Sequence, residues 1–147
     1  DRKPVNNIVF SWEYELSQAM MQIVEKGIFE KYPNLKIIVH HAGAMIPFFA
    51  GRIKYILGKE KELDFKKFYV DTAILGNTKA LELAIDYFGI NHLLFGTDAP
   101  LGIMPAGATK EILEAIDKMN VTEEEKEKIL KDNIIDMIKR RKKWIKN

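Results

Sequence analysis

The sequence contains no cysteine, only three histidines and no long apolar run. Without cysteine, a disulfide framework, a cysteine-ligated zinc or iron–sulfur site and a thiol nucleophile are all excluded. Any metal ion would therefore be held by oxygen atoms and imidazole nitrogens. No apolar stretch approaches the roughly 20 residues that a membrane-spanning helix needs. The sequence therefore predicts no membrane partner.

What is present is typical of one ordinary globular domain. The chain has 147 residues, of which 47% are hydrophobic and 30% are charged, so it can bury a real core. It begins at Asp1 rather than at methionine, and no basic segment followed by an apolar segment marks a signal peptide. These features predict a trimmed or partial chain and a cytoplasmic location.

The charge is balanced overall but uneven along the chain. With 23 basic and 21 acidic residues the net charge is +2, which argues against nucleic acid as a partner. One cluster of cations stands at the C-terminus: Lys139, Arg140, Arg141, Lys142, Lys143 and Lys146. It could bind phosphate or an anionic membrane. We favour a solvated last helix, whose cations suit the negative end of the helix dipole.

Short apolar strands alternate with amphipathic helices along the chain. Runs rich in β-branched and aromatic residues predict strands at about 35–41, 68–73 and 92–98. Apolar spacing predicts helices at about 11–30, 46–57, 77–88, 107–119, 122–131 and 133–144. Ser11 is the predicted cap of the first helix, Asn77 or Thr78 caps the third, and Thr122 with Glu125 forms a capping box. This alternation predicts an α/β fold built on a parallel sheet.

Each predicted strand delivers polar residues near its carboxyl end, where parallel α/β folds place their chemistry. His40 and His41 end the first strand, Asp71 lies in the second, and Asp98 follows the third. Imidazole and carboxylate can both ligate a divalent ion. A carboxylate beside a metal-bound water can also act as a general base.

Each of these residues also has a structural interpretation. Side chains alternate along a strand, so His40 and His41 should not both face one site, and one of them should bind backbone. Asp71 could be a buried acceptor for loop N–H groups, and Asp98 could form an Asx-turn. His92 precedes its strand at the opposite end of the sheet, so we expect it to be structural.

Five segments together resemble the amidohydrolase-related ("amidohydrolase 2") family, which includes aminocarboxymuconate-semialdehyde decarboxylase and the resorcylate-type decarboxylases. No single motif is specific, but their order and spacing match the family and span about residues 8–138. The segments are YPNLKIIVHHAGAMIP at 32–47, FFAGRI at 48–53, FYVDTA at 68–73, LFGTDAP at 94–100 and KILKDN at 128–133.

The resemblance implies a (β/α)₈ barrel with a divalent metal, commonly zinc, at the carboxyl ends of its strands. Asp98 would be the metal ligand of strand eight, and His41 would be the strand-six histidine that activates water or protonates substrate. Arg52 would match an arginine that reaches the substrate carboxylate of a neighbouring subunit, which implies a homo-oligomer. A guanidinium binds a carboxylate in a bidentate manner, although Arg52 alone would be interpreted as a surface cation.

The family's other metal ligands, a His-x-His pair after strand one and a histidine ending strand five, have no counterpart here. We therefore expect residues 1–147 to form part of the barrel domain, strands six to eight. The first hypothesis is the C-terminal portion of a metal-dependent decarboxylase or hydrolase that acts on a small carboxylate-bearing substrate. The alternative is a non-catalytic truncated fragment or a module that self-assembles through exposed strand edges. A weaker third hypothesis is nucleic-acid binding by the basic tail.

Overall fold

Three short parallel strands form the centre of the molecule. The computed structural model describes residues 4–102 and 107–142, without the side chains of 140–142. The strands are β1 (Ile38–Val39), β2 (Tyr69–Asp71) and β3 (Leu93–Leu94), in the order β1-β2-β3. Val39 pairs with Val70, and Asp71 pairs with Leu94. This arrangement confirms the predicted α/β class with parallel strands.

The strands are two or three residues long and therefore shorter than the predicted segments. The α-helices are α1 (Pro4–Asn6), α2 (Trp12–Glu25), α3 (Ile28–Lys31), α4 (Ala50–Arg52), α5 (Lys59–Phe65), α6 (Thr78–Phe88), α7 (Thr109–Asp117), α8 (Glu123–Glu127) and α9 (Asn133–Lys142). Single π-helical turns span Asn7–Ser11, Ile53–Leu57 and Lys128–Asp132, and 3₁₀ turns span His41–Gly43 and Ile90–His92.

Two helix starts follow the predicted capping chemistry and one does not. The Asn77 side chain accepts a hydrogen bond from the Ala80 N–H, and Thr122 with Glu125 forms the complete capping box. The prediction that Ser11 caps a helix is wrong, because its backbone is already helical (φ −67°, ψ −39°). An N-cap needs an extended backbone, and here the chain enters α2 through helical turns that begin at Pro4.

Helices from both ends of the chain meet the sheet in one core. Its fully buried side chains are apolar, with Thr72 the polar exception: Phe65, Phe68, Met20, Leu81, Leu93, Ile112, Ile116, Ile129, Val24, Val70 and Thr72. β2 is buried along its whole length, as a strand between two others in a covered parallel sheet should be. The core thus holds α2 and the strand ends in one packed unit, which positions the candidate site.

The C-terminal basic cluster is only partly visible. Lys139 is exposed, whereas Lys143 and Lys146 lie outside the described residues. Within residues 4–102 and 107–142, no helix has both the length and the apolar character needed to cross a bilayer.

Candidate active site at the carboxyl ends of the strands

The structure brings four of the five predicted site residues to one edge of the sheet. Because β1, β2 and β3 are parallel, the residues that end or follow them lie side by side. His40, His41 and Asp98 line one open cavity of about 440 Å³ together with α2 residues Trp12 and Glu15. Asp71 lies beneath the two histidines and is hydrogen-bonded to both.

Asp71 is a buried anchor, with 7% of its surface exposed. Its Oδ1 accepts hydrogen bonds from the backbone N–H groups of His41 (2.8 Å) and Ala73 (3.0 Å). Its Oδ2 lies 2.9 Å from His40 Nδ1. One carboxylate therefore holds the chain after β1 against the chain after β2, and it uses both of its oxygens to do so.

The loop after β3 is held against the same residues. Thr72 Oγ1 donates to the Gly96 carbonyl (2.8 Å) and accepts from the Gly96 N–H (3.1 Å). This double hydrogen bond brings the Gly96 backbone so close to β2 that an added Cβ would lie 2.9 Å from Asp71 Cβ. Only glycine allows this approach, which directs the chain toward Asp98.

We predict that Gly96→Ala lowers the free energy of unfolding by about 1–3 kcal/mol, because the added methyl overpacks a buried contact. Chemical denaturation monitored by circular dichroism measures the change. Gly51→Ala is the matched control, since a Cβ there meets nothing within 4 Å and the substitution should be neutral or stabilising. Equal stability of the two variants would contradict the close approach.

Both histidines line the cavity, so the prediction that only one can face it is wrong. The regular alternation of a strand ends at Val39, and His41 adopts a left-handed backbone with φ +57°. The two rings lie 6.1 Å apart between centroids. The prediction that one ring binds backbone is also wrong, because each ring pairs with a carboxylate: His40 with Asp71 and His41 with Glu13.

Glu13 is a site residue that the sequence alone did not reveal. It lies in the first turn of α2, and its Oε1 is 2.5 Å from His41 Nδ1. The signal that could have revealed it is Ser17, which is polar but stands on the apolar face that contains Met20 and Val24. Glu13 lies one helical turn before Ser17 on that face, so its side chain is directed toward the sheet.

The surroundings of His41 favour its protonated form. The hydrogen bond with Glu13 raises the pKa of His41 above its ordinary value, and partial burial works against this increase. The negative charges of Glu13, Asp71 and Asp98 also raise the pKa. A histidine in such surroundings can hold a proton at neutral pH and release it to a bound molecule.

Asp98 lines the same cavity from the turn after β3. Its residue is exposed, and its backbone has φ +59°. Its carbonyl accepts a hydrogen bond from the Leu101 N–H (2.8 Å), which forms the turn after β3.

Arg52 and His92 lie away from this cavity. Arg52 is exposed at the end of α4 and lines neither described cavity. His92 lies at the amino end of the sheet, where its Nδ1 is 2.8 Å from the Phe68 carbonyl oxygen and its ring stacks on Tyr69. The structure thus gives His92 a structural contact and leaves Arg52 outside the site within this chain.

A second, more apolar cavity adjoins the first at His41. Its volume is about 660 Å³, and Phe48, Phe49 and Ile74 are among the side chains that line it. Within the described chain, Glu13 and His41 are the lining residues that can carry a charge near neutral pH. His41 therefore borders two adjoining cavities, one with the carboxylates of Glu15 and Asp98 in its lining and one lined mainly by apolar side chains. This arrangement suits a ligand with an apolar body and a polar group.

The described residues do not form a complete metal site. Across residues 4–102 and 107–142, no three histidine, aspartate or glutamate side chains are grouped so that they could hold an ion. Nδ1 of both histidines is engaged by a carboxylate, which leaves the Nε2 atoms and the carboxylates of Asp98 and Glu15 as the donors around this cavity. A catalytic zinc site uses three protein ligands, so the described residues contribute at most part of one.

The profile of the amidohydrolase family (amidohydrolase 2) matches residues 7–140. The chain therefore belongs to this family, which confirms the family predicted from the strand motifs. Similar proteins include the 6-methylsalicylic acid decarboxylase of Penicillium expansum, 31% identical over 102 residues, which cover 63% of this chain and 32% of the relative. The 2-amino-3-carboxymuconate-6-semialdehyde decarboxylase of Dictyostelium discoideum is 27% identical over 137 residues, 84% of this chain and 36% of the relative.

A solved structure shows the same fold. The dihydroxybenzoic acid decarboxylase of Polaromonas, crystallised with manganese and the inhibitor 2-nitroresorcinol, matches with a TM-score of 0.75 at 22% identity. The match covers 95% of this chain and 47% of that one. The chain spans about a third of the length of the two curated relatives above.

Proposed function

We propose that this chain is the C-terminal part, strands six to eight, of a metal-dependent barrel enzyme that decarboxylates a small carboxylate-bearing substrate. The observation that carries the proposal is the shared cavity of His41 and Asp98 at the carboxyl edge of a parallel sheet. Several family relatives are decarboxylases, and hydrolysis is the second reaction class to test.

In this proposal His41 is the proton donor. Its protonated form is favoured by Glu13, and its ring borders both cavities. The His41 proton is transferred to an unsaturated substrate carbon that bears the carboxylate; a π electron pair of the substrate forms the new C–H bond, and that carbon becomes tetrahedral. The carbon–carbon bond then breaks, carbon dioxide leaves, and the bonding pair stays on the substrate. The substrate thereby keeps the proton, and His41 is left neutral.

Asp98 would supply one ligand to a divalent ion, and residues outside this chain would supply the others. When bound, such an ion polarises an oxygen of the substrate. Zinc is the ion that the family resemblance implies, and the Polaromonas structure holds manganese, so both are tested. Within this chain, the carboxylate of Asp98 is available for the role because it is exposed beside His41.

The apolar cavity and Arg52 would bind the substrate. Phe48, Phe49 and Ile74 would contact an apolar or aromatic body placed next to His41. Arg52 is exposed and does not line the cavity of its own chain, so its guanidinium would bind a substrate carboxylate in a neighbouring subunit. This role requires a homo-oligomer, and substitution of Arg52 would then raise KM.

The experiment measures the metal content of the protein encoded by the complete reading frame that contains this chain. We expect Asp98→Asn to reduce bound zinc or manganese to well below one equivalent, because a neutral amide is a weaker ligand than a carboxylate. Asp86→Asn is the matched control, since Asp86 is exposed on α6 and its substitution removes the same charge. Metal is counted by mass spectrometry after dialysis against each ion in turn.

Unchanged metal content in Asp98→Asn would overturn the assignment of Asp98. Metal-free protein in both variants and in the parent would instead favour the non-catalytic, self-assembling module. Release of carbon dioxide from 6-methylsalicylate or dihydroxybenzoate, measured alongside, separates decarboxylation from hydrolysis.

A further inference from the structure

The contact between Glu13 and His41 joins parts of the chain that are 28 residues apart in sequence. Glu13 Oε1 lies 2.5 Å from His41 Nδ1, and about a quarter of each side chain is exposed (26% and 24%). A hydrogen bond between a carboxylate and an imidazole at this distance is charge-assisted and directional. It restricts the rotation of the imidazole ring.

Glu13 is itself held in place by the helix that carries it. Ser17 Oγ donates to the Glu13 carbonyl (2.8 Å) and accepts from the Met45 N–H (3.1 Å). This pair of bonds fastens the first turn of α2 to the loop that follows His41. Met20 and Val24 bury the same face of α2 in the core, each with 1% exposed. The carboxylate thus approaches His41 from a fixed support.

We propose that Glu13 is a positioning residue for His41, holding Nδ1 as a hydrogen-bond donor and leaving Nε2 as the nitrogen that exchanges protons with a ligand. The inference rests on the proposed function, because it adds a residue to the same site. It is separable from that function, because the state of the imidazole can be observed without substrate or metal.

Other charged or titratable groups surround His41, but they contact it differently. Asp71 binds its backbone N–H rather than its ring. Asp98 acts on it through charge, and the His40 ring lies 6.1 Å away. Glu15 lines the same cavity from the same helix turn as Glu13. Within the described chain, Glu13 alone makes a hydrogen bond to the ring.

A neutral imidazole has one donor nitrogen and one acceptor nitrogen, and the partner of one decides the role of the other. A carboxylate on Nδ1 requires the proton there, so Nε2 becomes the acceptor in the neutral form and a second donor in the charged form. The carboxylate also stabilises the charged form of His41. The contact with Glu13 therefore controls both the orientation of the His41 imidazole and its protonation.

The experiment records ¹⁵N shifts of the imidazole nitrogens of His41 in the 147-residue chain, in wild type, Glu13→Ala and Glu13→Gln. At high pH we expect the Nδ1–H form in wild type and in Glu13→Gln, whose amide oxygen still accepts the bond. Glu13→Ala should shift the population toward the Nε2–H form. Both variants should titrate His41 at a lower pH than wild type, because each removes the carboxylate that raises its pKa.

Glu15→Gln is the matched control, because it removes the same charge from the same turn without a bond to His41. It should leave the tautomer unchanged and move the titration less than Glu13→Gln does. Identical tautomers in wild type and Glu13→Ala would overturn the proposal. Glu13→Gln preserves the size and the hydrogen bond of the glutamate, so this variant should fold even if Glu13→Ala does not. If His41 titrated at the same pH in Glu13→Gln as in wild type, the proposal would also be overturned. A positioned His41 in an enzyme without decarboxylase activity would leave this inference standing and remove the proposed function.

Discussion

In the proposed decarboxylase, replacing His41 with asparagine is expected to lower kcat by about 10²–10⁴-fold, the usual contribution of a positioned proton donor. Asparagine fits the space near Nδ1 and tolerates the left-handed backbone at this position, but it cannot transfer a proton at neutral pH. Because the lost interaction belongs to the transition state, KM should change little. Steady-state measurement of carbon dioxide release gives both constants.

His92→Asn is the control for this prediction. His92 lies at the amino end of the sheet and contacts Phe68 and Tyr69, so its loss should reduce stability slightly and leave kcat close to wild type. If His41→Asn retained more than a tenth of the wild-type kcat, another group would have to donate the proton.

Asp71→Ala is expected to destabilise the chain by about 2–4 kcal/mol. The substitution leaves the N–H groups of His41 and Ala73 without their acceptor, and each buried unpaired group costs about 1–3 kcal/mol. The His40 ring and the His41 backbone would also lose their common support, so the site and the fold should weaken together. Urea unfolding followed by circular dichroism measures the stability change.

Asp71→Asn separates hydrogen bonding from charge. The amide oxygen can still accept both N–H groups that Oδ1 accepts now, and the amide nitrogen can donate to His40 Nδ1. We therefore expect this variant to keep most of the wild-type stability. If Asp71→Asn lost as much stability as Asp71→Ala, the negative charge of Asp71, rather than its ability to accept hydrogen bonds, would be what stabilises the fold.

The parallel arrangement of the strands and the edge that carries the polar residues could be predicted because they depend on apolar runs and on topology. Parallel strands place their carboxyl ends together, so Asp71 and Asp98 had to approach the histidines whatever the local details. The helix Thr78–Phe88 was equally predictable, since Asn77 caps it and Gly89 ends it with φ +88°. Its caps depend on interactions that are local in sequence.

Features that depend on tertiary contacts were not predictable. Helix α5 was not predicted because Lys59–Phe65 is mostly charged and buries only Phe65, so the segment has no apolar periodicity. Glu13 was not predicted as a site residue because its partner His41 is 28 residues away in sequence. The orientation of His40 and His41 was not predicted because the prediction assumed that side chains alternate as in a regular strand. The left-handed backbone of His41 interrupts that alternation.

Both residues proposed for the chemistry occupy a backbone conformation that L-amino acids disfavour, His41 at φ +57° and Asp98 at φ +59°. Each such residue costs roughly 1 kcal/mol or more relative to glycine. Stability and activity are therefore opposed at these two positions. Laboratory evolution that selects for thermal stability alone should accumulate glycine at positions 41 and 98. A screen for more stable variants therefore has to select for activity as well if the site is to be preserved.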